Sequence, residues 1–204
     1  MREEQISVEQ FMRKTFKNPL DRISLWLYQK GICANQVTMT GLAGTSVAAI
    51  LISQAYLWQA GLLLIFIAPL DAVDGSLARL SGQSSRFGAF LDSFTDRYEE
   101  LLILAGLAYY FAQSKSTLGI LLSFFAAIGS VMVSYARARA EALGFECKIG
   151  LLTRIERTVI MIIGLLLGLP IFAVGIISVL ANFTAWQRFF HVREEANKQD
   201  SQRG

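Results

Sequence analysis

Charge and sulfur are what this chain has least of. Only 17% of its 204 residues are charged, against 53% that are hydrophobic. It has two cysteines, Cys33 and Cys147, and a single histidine. The two thiols fit no metal or disulfide spacing, and no cluster of histidines accompanies them, so a zinc site is not expected. A net charge of +3 is too small to suggest nucleic acid, and the basic residues lack aromatic interleaving. No internal repeat is visible, which argues against a transporter built from inverted repeats. The first residues are polar and carry both signs of charge, so no cleavable signal peptide is expected.

Long apolar runs are present in abundance, more than a soluble domain of this length would hold, and they imply an integral membrane protein of one domain. The expected fold class is all-α: six transmembrane helices plus an N-terminal amphipathic surface helix. Residues 1–30 are expected to form a juxtamembrane segment, residues 31–190 the six-helix body, and residues 191–204 a polar tail that frays. In the juxtamembrane segment Phe11, Met12 and Phe16 are set against Arg13, Lys14 and Lys17. After the Asn18-Pro19 break, Leu20, Ile23, Leu25, Trp26, Leu27 and Tyr28 alternate with Asp21, Arg22 and Lys30. That pattern suits a helix lying among lipid headgroups.

Spans are expected over 37–52, from 58 through 70, and over 101–111, 118–135, 158–169 and 171–186. The second offers only about 13 apolar residues, roughly 20 Å of helix against roughly 30 Å of hydrocarbon. A helix that continues carries Asp71 and Asp74 to the depth of one leaflet. The links around 53–58 and 168–171 are uncharged, and the one around 112–117 has only Lys115. Lysines and arginines collect at the other ends, so both termini and the acids are expected on the cytoplasmic side of the cell membrane.

The acids form a pattern. Asp71, Asp74, Gly75 and Ala78 share one helix face at i, i+3, i+4 and i+7, and Gly88, Asp92 and Asp96 share a face of the next segment. An aspartate at the centre of a lipid-exposed helix costs about 2.5–3.5 kcal/mol, and four facing one another add like-charge repulsion. They must be protonated, paired or bound to cations. Arg79 and Arg97 are too few to neutralise four aspartates plus Glu99 and Glu100, and hard oxygen ligands suit Mg²⁺, Mn²⁺ or Ca²⁺. Two carboxylate pairs can hold one or two such ions, the arrangement that handles phosphoryl transfer. Arg79 beside the small Gly75 and Ala78 suits a diphosphate. A divalent-cation channel or carrier is the rival from another class. Arg79 counts against it, because an arginine in a cation path repels the ion.

The run Asp71-x-x-Asp74-Gly75-x-x-Ala78-Arg79-x8-Gly88-x3-Asp92-x3-Asp96 resembles, position for position, the signature of the CDP-alcohol phosphatidyltransferase family. The resemblance extends over the whole chain. It implies six membrane helices, an amphipathic N-terminal helix, a homodimer and an active site open to the cytoplasm. It also implies transfer of a phosphatidyl group from a CDP-linked lipid to an alcohol, with release of CMP, in phospholipid biosynthesis. Carried over by position, Asp71, Asp74, Asp92 and Asp96 hold metal, two Mg²⁺ ions with Mn²⁺ as the alternative, and Asp96 is also the catalytic base. Gly75, Ala78 and Arg79 line the CDP pocket, Arg79 on the phosphates, and Asn35 and Thr38 contribute to the same donor site. The Pro-Asn that many members have before the first span reads Ala34-Asn35 here, a departure that bears on the helix start.

The stretch Ser134-Tyr135-Ala-Arg137-Ala-Arg139-Ala-Glu141, with Gly144, Gly150, Arg154, Glu156 and Arg157, looks like the inositol-phosphate-using branch. That branch makes phosphatidylinositol phosphate or archaetidylinositol phosphate. By this likeness Arg137, Arg157 and Arg188 hold the acceptor's phosphate, with Lys148 a weaker candidate. Several cytoplasmic arginines suit an anionic acceptor. The same arginines also satisfy the positive-inside rule. Glycerol 3-phosphate is anionic too, so a phosphatidylglycerophosphate synthase is the alternative.

Overall fold

The structure is a computed structural model and describes residues 20–82, 85–147 and 149–203. The expected amphipathic stretch over 1–17, the Asn18-Pro19 break and Lys148 lie outside the described residues. Among the described residues every regular element is a helix: α1 over 20–29, α2 (Ala34–Ser53), α3 (Leu57–Ile67), α4 (Leu70–Leu80), α5 (Arg86–Gln113), α6 (Thr117–Ala142), α7 (Arg154–Leu166) and α8 (Pro170–Arg203). Local chemistry sets several of the starts. Ser85 Oγ accepts the Gly88 N–H at 2.9 Å and Ser116 Oγ accepts the Gly119 N–H at 3.2 Å, each closing the first turn of its helix. The Glu156 carboxylate accepts the Thr153 N–H at 2.6 Å, so α7 begins at Arg154, ahead of the expected 158.

The helix that starts before the expected 58 does continue towards the acids, with an interruption at Ala68 and Pro69. Pro69 has no N–H to give to the ladder, which separates α3 from α4 there. Both residues keep right-handed helical angles, so the chain passes from one helix to the next without a loop. The tail also differs from expectation. Helix α8 runs on through Arg203, where fraying is expected from His191. His191 Nε2 lies 3.0 Å from the Glu146 carbonyl, and Lys198 pairs with Glu195 at 2.7 Å, which gives the polar turns partners.

Among the described residues four stretches are long and apolar enough to cross a membrane: Ala34–Ser53, Leu57–Leu80, Thr117–Ala142 and Pro170–Gln199. They mark the chain as a membrane protein. Helix α5 has the length, but Asp92, Asp96, Arg97, Glu99 and Glu100 load its first four turns. Helix α7 has 13 residues.

One apolar core, with Ile52, Leu64, Leu107, Leu165 and Val174 at its centre, is shared by α2, α3, α5, α6, α7 and α8. Helix α6 packs along α8 and α2 along α5. The second contact is close because Gly106 has no side chain: a Cβ there would stand 2.5 Å from the Ala49 carbonyl oxygen. A smaller patch of Val37, Val73 and Leu77 packs with Leu20 and Leu27 of α1. Two hydrogen bonds fix that patch, Ser24 Oγ to the Val73 carbonyl at 3.1 Å and Ser76 Oγ to Asp21 Oδ1 at 2.6 Å. Helix α1 is thereby tied to α4, which carries the first two aspartates.

Candidate active site

Helix α2 packs against both α4 and α5, so it brings two acid-bearing helices to one place. On α5, Asp92, Asp96 and Glu99 stand at i, i+4 and i+7 and share a face. Carboxylate oxygens of Asp71, Asp96 and Glu99 lie within 4.8 Å of one another. The Arg154 guanidinium, on the first residue of α7, sits among them. Its Nη1 pairs with Asp71 and, at 2.6 Å, with Asp96, while Nη2 pairs with Glu99 at 2.8 Å. Gly41 of α2 leaves room for Glu99, since a Cβ there would lie 3.1 Å from Oε1. Asp74 is buried, and its Oδ2 accepts the Thr38 hydroxyl at 2.6 Å. Asp92 is half-buried, and its charge acts on Asp71, Asp74 and Asp96.

Of the four predicted metal aspartates, Asp71 and Asp96 thus enter one cluster, Asp74 is engaged with Thr38, and Asp92 is within electrostatic reach. Glu99 and Arg154 lie outside the predicted ligand set. Glu99 had a signal, the helical period it shares with Asp92 and Asp96. Arg154 belongs to the stretch that looks like the inositol-phosphate-using branch, but nothing in the sequence ties it to the acids, because its pairing with Asp71 spans 83 residues. The donor set is oxygen only, and a guanidinium already stands where the carboxylates call for a cation. Those residues fit a hard divalent ion.

The predicted donor-site residues border this centre on α4 and α2. Arg79 is exposed and has no ion pair among the described residues; it lies over Gly75, where a Cβ would be 3.5 Å from its Nη1. Ala78 is half-buried on the same helix. Asn35 stands against the start of α5, with its Oδ1 3.5 Å from where a Gly88 Cβ would be.

The predicted acceptor arginines gather elsewhere. Arg157 is buried, its Nε and Nη2 gripping both oxygens of Glu100 at 2.5 and 3.0 Å and its Nη1 donating to the Leu152 carbonyl at 3.1 Å. Arg188 is buried as well and donates to the carbonyls of Ile149 at 2.9 Å and Val133 at 2.5 Å. Arg137 is exposed and pairs with Glu141 at 2.8 Å. The charges of Arg137 and Arg157 both act on Arg188, so α6, α7 and α8 share one basic corner. A cleft of about 330 Å³ lies there, lined by Glu141, Gly144, Phe145, Glu146 and the buried Cys147.

Fold and site together define a helical membrane protein with a carboxylate centre suited to hard-cation chemistry. A family model described as CDP-alcohol phosphatidyltransferase matches residues 31–188, and the chain belongs to that family. It is an enzyme of phospholipid biosynthesis that transfers phosphatidyl groups. An archaetidylinositol phosphate synthase of Pyrococcus horikoshii is 38% identical over 191 residues, which cover 90% of this chain and 95% of that one. The crystal structure of Mycobacterium tuberculosis phosphatidylinositol phosphate synthase with CDP-DAG bound is similar at a TM-score of 0.78 and 26% identity, covering 85% of this chain and 92% of that chain. The same enzyme in complex with manganese and citrate gives a TM-score of 0.79 at 26% identity, covering 85% and 88%.

Proposed function

We propose that this enzyme transfers the phosphatidyl or archaetidyl group of a CDP-linked lipid to inositol phosphate and releases CMP. We place it as a homodimer in the cytoplasmic membrane, with six crossings per chain and its site facing the cytoplasm. Counting α3 with α4 as one crossing, and adding α5 and α7, gives those six. The observation that carries the reading is the meeting of Asp71, Asp96 and Glu99 from two helices, with Arg79, which has no ion pair among the described residues, on the same helix as Asp71. The inositol phosphate products named for the relatives support the acceptor. The CDP-DAG and the manganese held by the mycobacterial enzyme support the donor and a divalent ion.

In this reading Asp71, Asp74, Asp92 and Asp96 hold one or two divalent ions, Mg²⁺ or Mn²⁺, with Glu99 adding to the oxygen set. Such ions supply positive charge against the diphosphate and the departing CMP. The other work falls to the chain's own side chains. Thr38 fixes the Asp74 carboxylate through its 2.6 Å hydrogen bond. Arg79 takes the diphosphate, while Gly75 and Ala78 let the nucleotide approach α4 and Asn35 borders it. Arg137, Arg157 and Arg188 make the positive corner that draws the acceptor's phosphate. Asp96 accepts the proton of the attacking hydroxyl as the new P–O bond forms and the bond to CMP breaks.

The test is CMP release from purified protein given a CDP-lipid, Mg²⁺ and a panel of alcohols. Inositol phosphate is expected to drive it. Release with glycerol 3-phosphate and none with inositol phosphate would reassign the acceptor. Silence with every alcohol, together with Mg²⁺ passage into liposomes, would overturn the transferase reading in favour of a carrier.

A further inference from the structure

Arg154 occupies the position in which the carboxylates would hold an ion. It contacts Asp71, Asp96 and Glu99 at once, and Arg97 reaches Asp96 Oδ2 at 3.3 Å, so the carboxylates of the centre still outnumber its arginines. A divalent ion held by Asp71, Asp96 and Glu99 would draw on oxygens that lie within 4.8 Å of one another, the space in which the guanidinium sits. The two cations therefore compete.

The two arginines at the start of α7 differ in freedom. The Arg157 side chain is 3% exposed and fixed by Glu100 and the Leu152 carbonyl, whereas the Arg154 side chain is 29% exposed. Arg154 is the first residue of its helix and follows a stretch, 149–153, with neither helix nor strand. Arg157 anchors the turn, and Arg154 has an opening through which to leave.

We propose that Arg154 is a resident counter-cation. It neutralises the carboxylate centre while that centre is free of metal, and gives up its place when a divalent ion binds. Its departure also frees the lone pair of Asp96 Oδ1 that the guanidinium engages at 2.6 Å, which makes Asp96 a stronger proton acceptor. This inference rests on the reading of the acids as metal ligands.

Two measurements test it, both without lipid or nucleotide. The first is Mn²⁺ affinity by electron paramagnetic resonance for the wild type, Arg154→Gln and Asp71→Asn. Arg154→Gln is expected to bind Mn²⁺ more tightly by about fivefold or more, because a coupled competitor is gone. Equal or weaker binding by Arg154→Gln overturns the proposal. Wild-type affinity in Asp71→Asn overturns instead the metal-ligand reading beneath it. The second measurement needs only the wild type: phenylglyoxal labelling of arginines, located by mass spectrometry, with and without Mn²⁺. Labelling of Arg154 is expected to rise on Mn²⁺ addition while Arg157 stays protected. Unchanged Arg154 labelling in Mn²⁺-saturated protein overturns the proposal, even where Arg154→Gln fails to fold.

Discussion

The carboxylate centre and the arginine corner carry opposite charges, and they use them differently. In the centre the Arg154 guanidinium makes a single contact with each of three carboxylates, and Arg97 adds a weaker one to Asp96 Oδ2 at 3.3 Å. In the corner two of the three cations are already committed to the fold. Arg157 is gripped by Glu100 and the Leu152 carbonyl and Arg188 by two main-chain carbonyls, while the exposed Arg137 pairs with Glu141 on its own helix. A region with surplus charge is ready for a ligand of opposite sign. One whose charges are satisfied internally holds helices together first and attracts ligands only through its net field. Substitutions in the centre should therefore reduce chemistry, and substitutions in the corner should reduce stability.

The largest effect expected is at Asp96. Asp96→Asn keeps the side-chain volume but removes the proton acceptor, so turnover should fall by about 10²–10⁴. Binding of CDP-lipid, measured by titration, should survive. If binding falls in step with turnover, Asp96 acts chiefly as a metal ligand, and the centre's role shifts from proton transfer to ion holding.

That centre was largely legible in the sequence, because its parts lie close along the chain and the helical period aligns them. Asp71, Asp92 and Asp96 follow from spacing alone, and Glu99 continues the same face one turn beyond Asp96. The expected start of α7 at 158 passed over a cue that the sequence does carry, the Thr153-x-x-Glu156 pattern that caps the helix at Arg154. Other features were not legible. The apolar run from Trp58 to Leu70 suggested one continuous helix and hid the missing N–H of Pro69. The pairings of Arg154 with Asp71 and of Arg157 with Glu100 depend on where α7 docks, and no local pattern encodes contacts between residues 83 and 57 positions apart. An arginine in a cytoplasmic loop reads the same whether it binds substrate, a lipid headgroup or a buried glutamate.

Arg157 tests the other half of the comparison. Arg157→Ala leaves Glu100 without its bidentate partner in a site where the arginine side chain is 3% exposed and the glutamate 17%. Removing one member of such a pair is expected to cost about 3–5 kcal/mol, read as thermal unfolding in detergent. The double variant Arg157→Ala, Glu100→Leu should recover much of that loss, since no unpaired charge remains. If Arg157 also serves the acceptor, the stable double variant will show a raised KM for the acceptor and an unchanged KM for CDP-lipid. An equal shift in both would confine Arg157 to the scaffold.

The smallest of these effects is expected at Thr38, and it sharpens the boundary between the regions. Thr38 carries one hydroxyl proton and has two acceptors, Asp74 Oδ2 at 2.6 Å and the Ala34 carbonyl at 3.2 Å. The shorter bond to the charged oxygen takes it, because charge-assisted hydrogen bonds are the stronger kind. Thr38→Val keeps the shape and removes the proton, leaving a buried carboxylate with one fewer donor. Supporting contacts of this sort are typically worth about 10–100-fold in metal affinity, and with Asp74 one oxygen donor among several the low end is expected, about tenfold weaker Mn²⁺ binding. The unfolding temperature should barely move, because the helix already satisfies the Ala34 carbonyl. A large drop in thermal stability with no change in Mn²⁺ affinity would assign Asp74 and Thr38 to the packing of α2 on α4, and would leave the ion-holding oxygens to Asp71, Asp96 and Glu99.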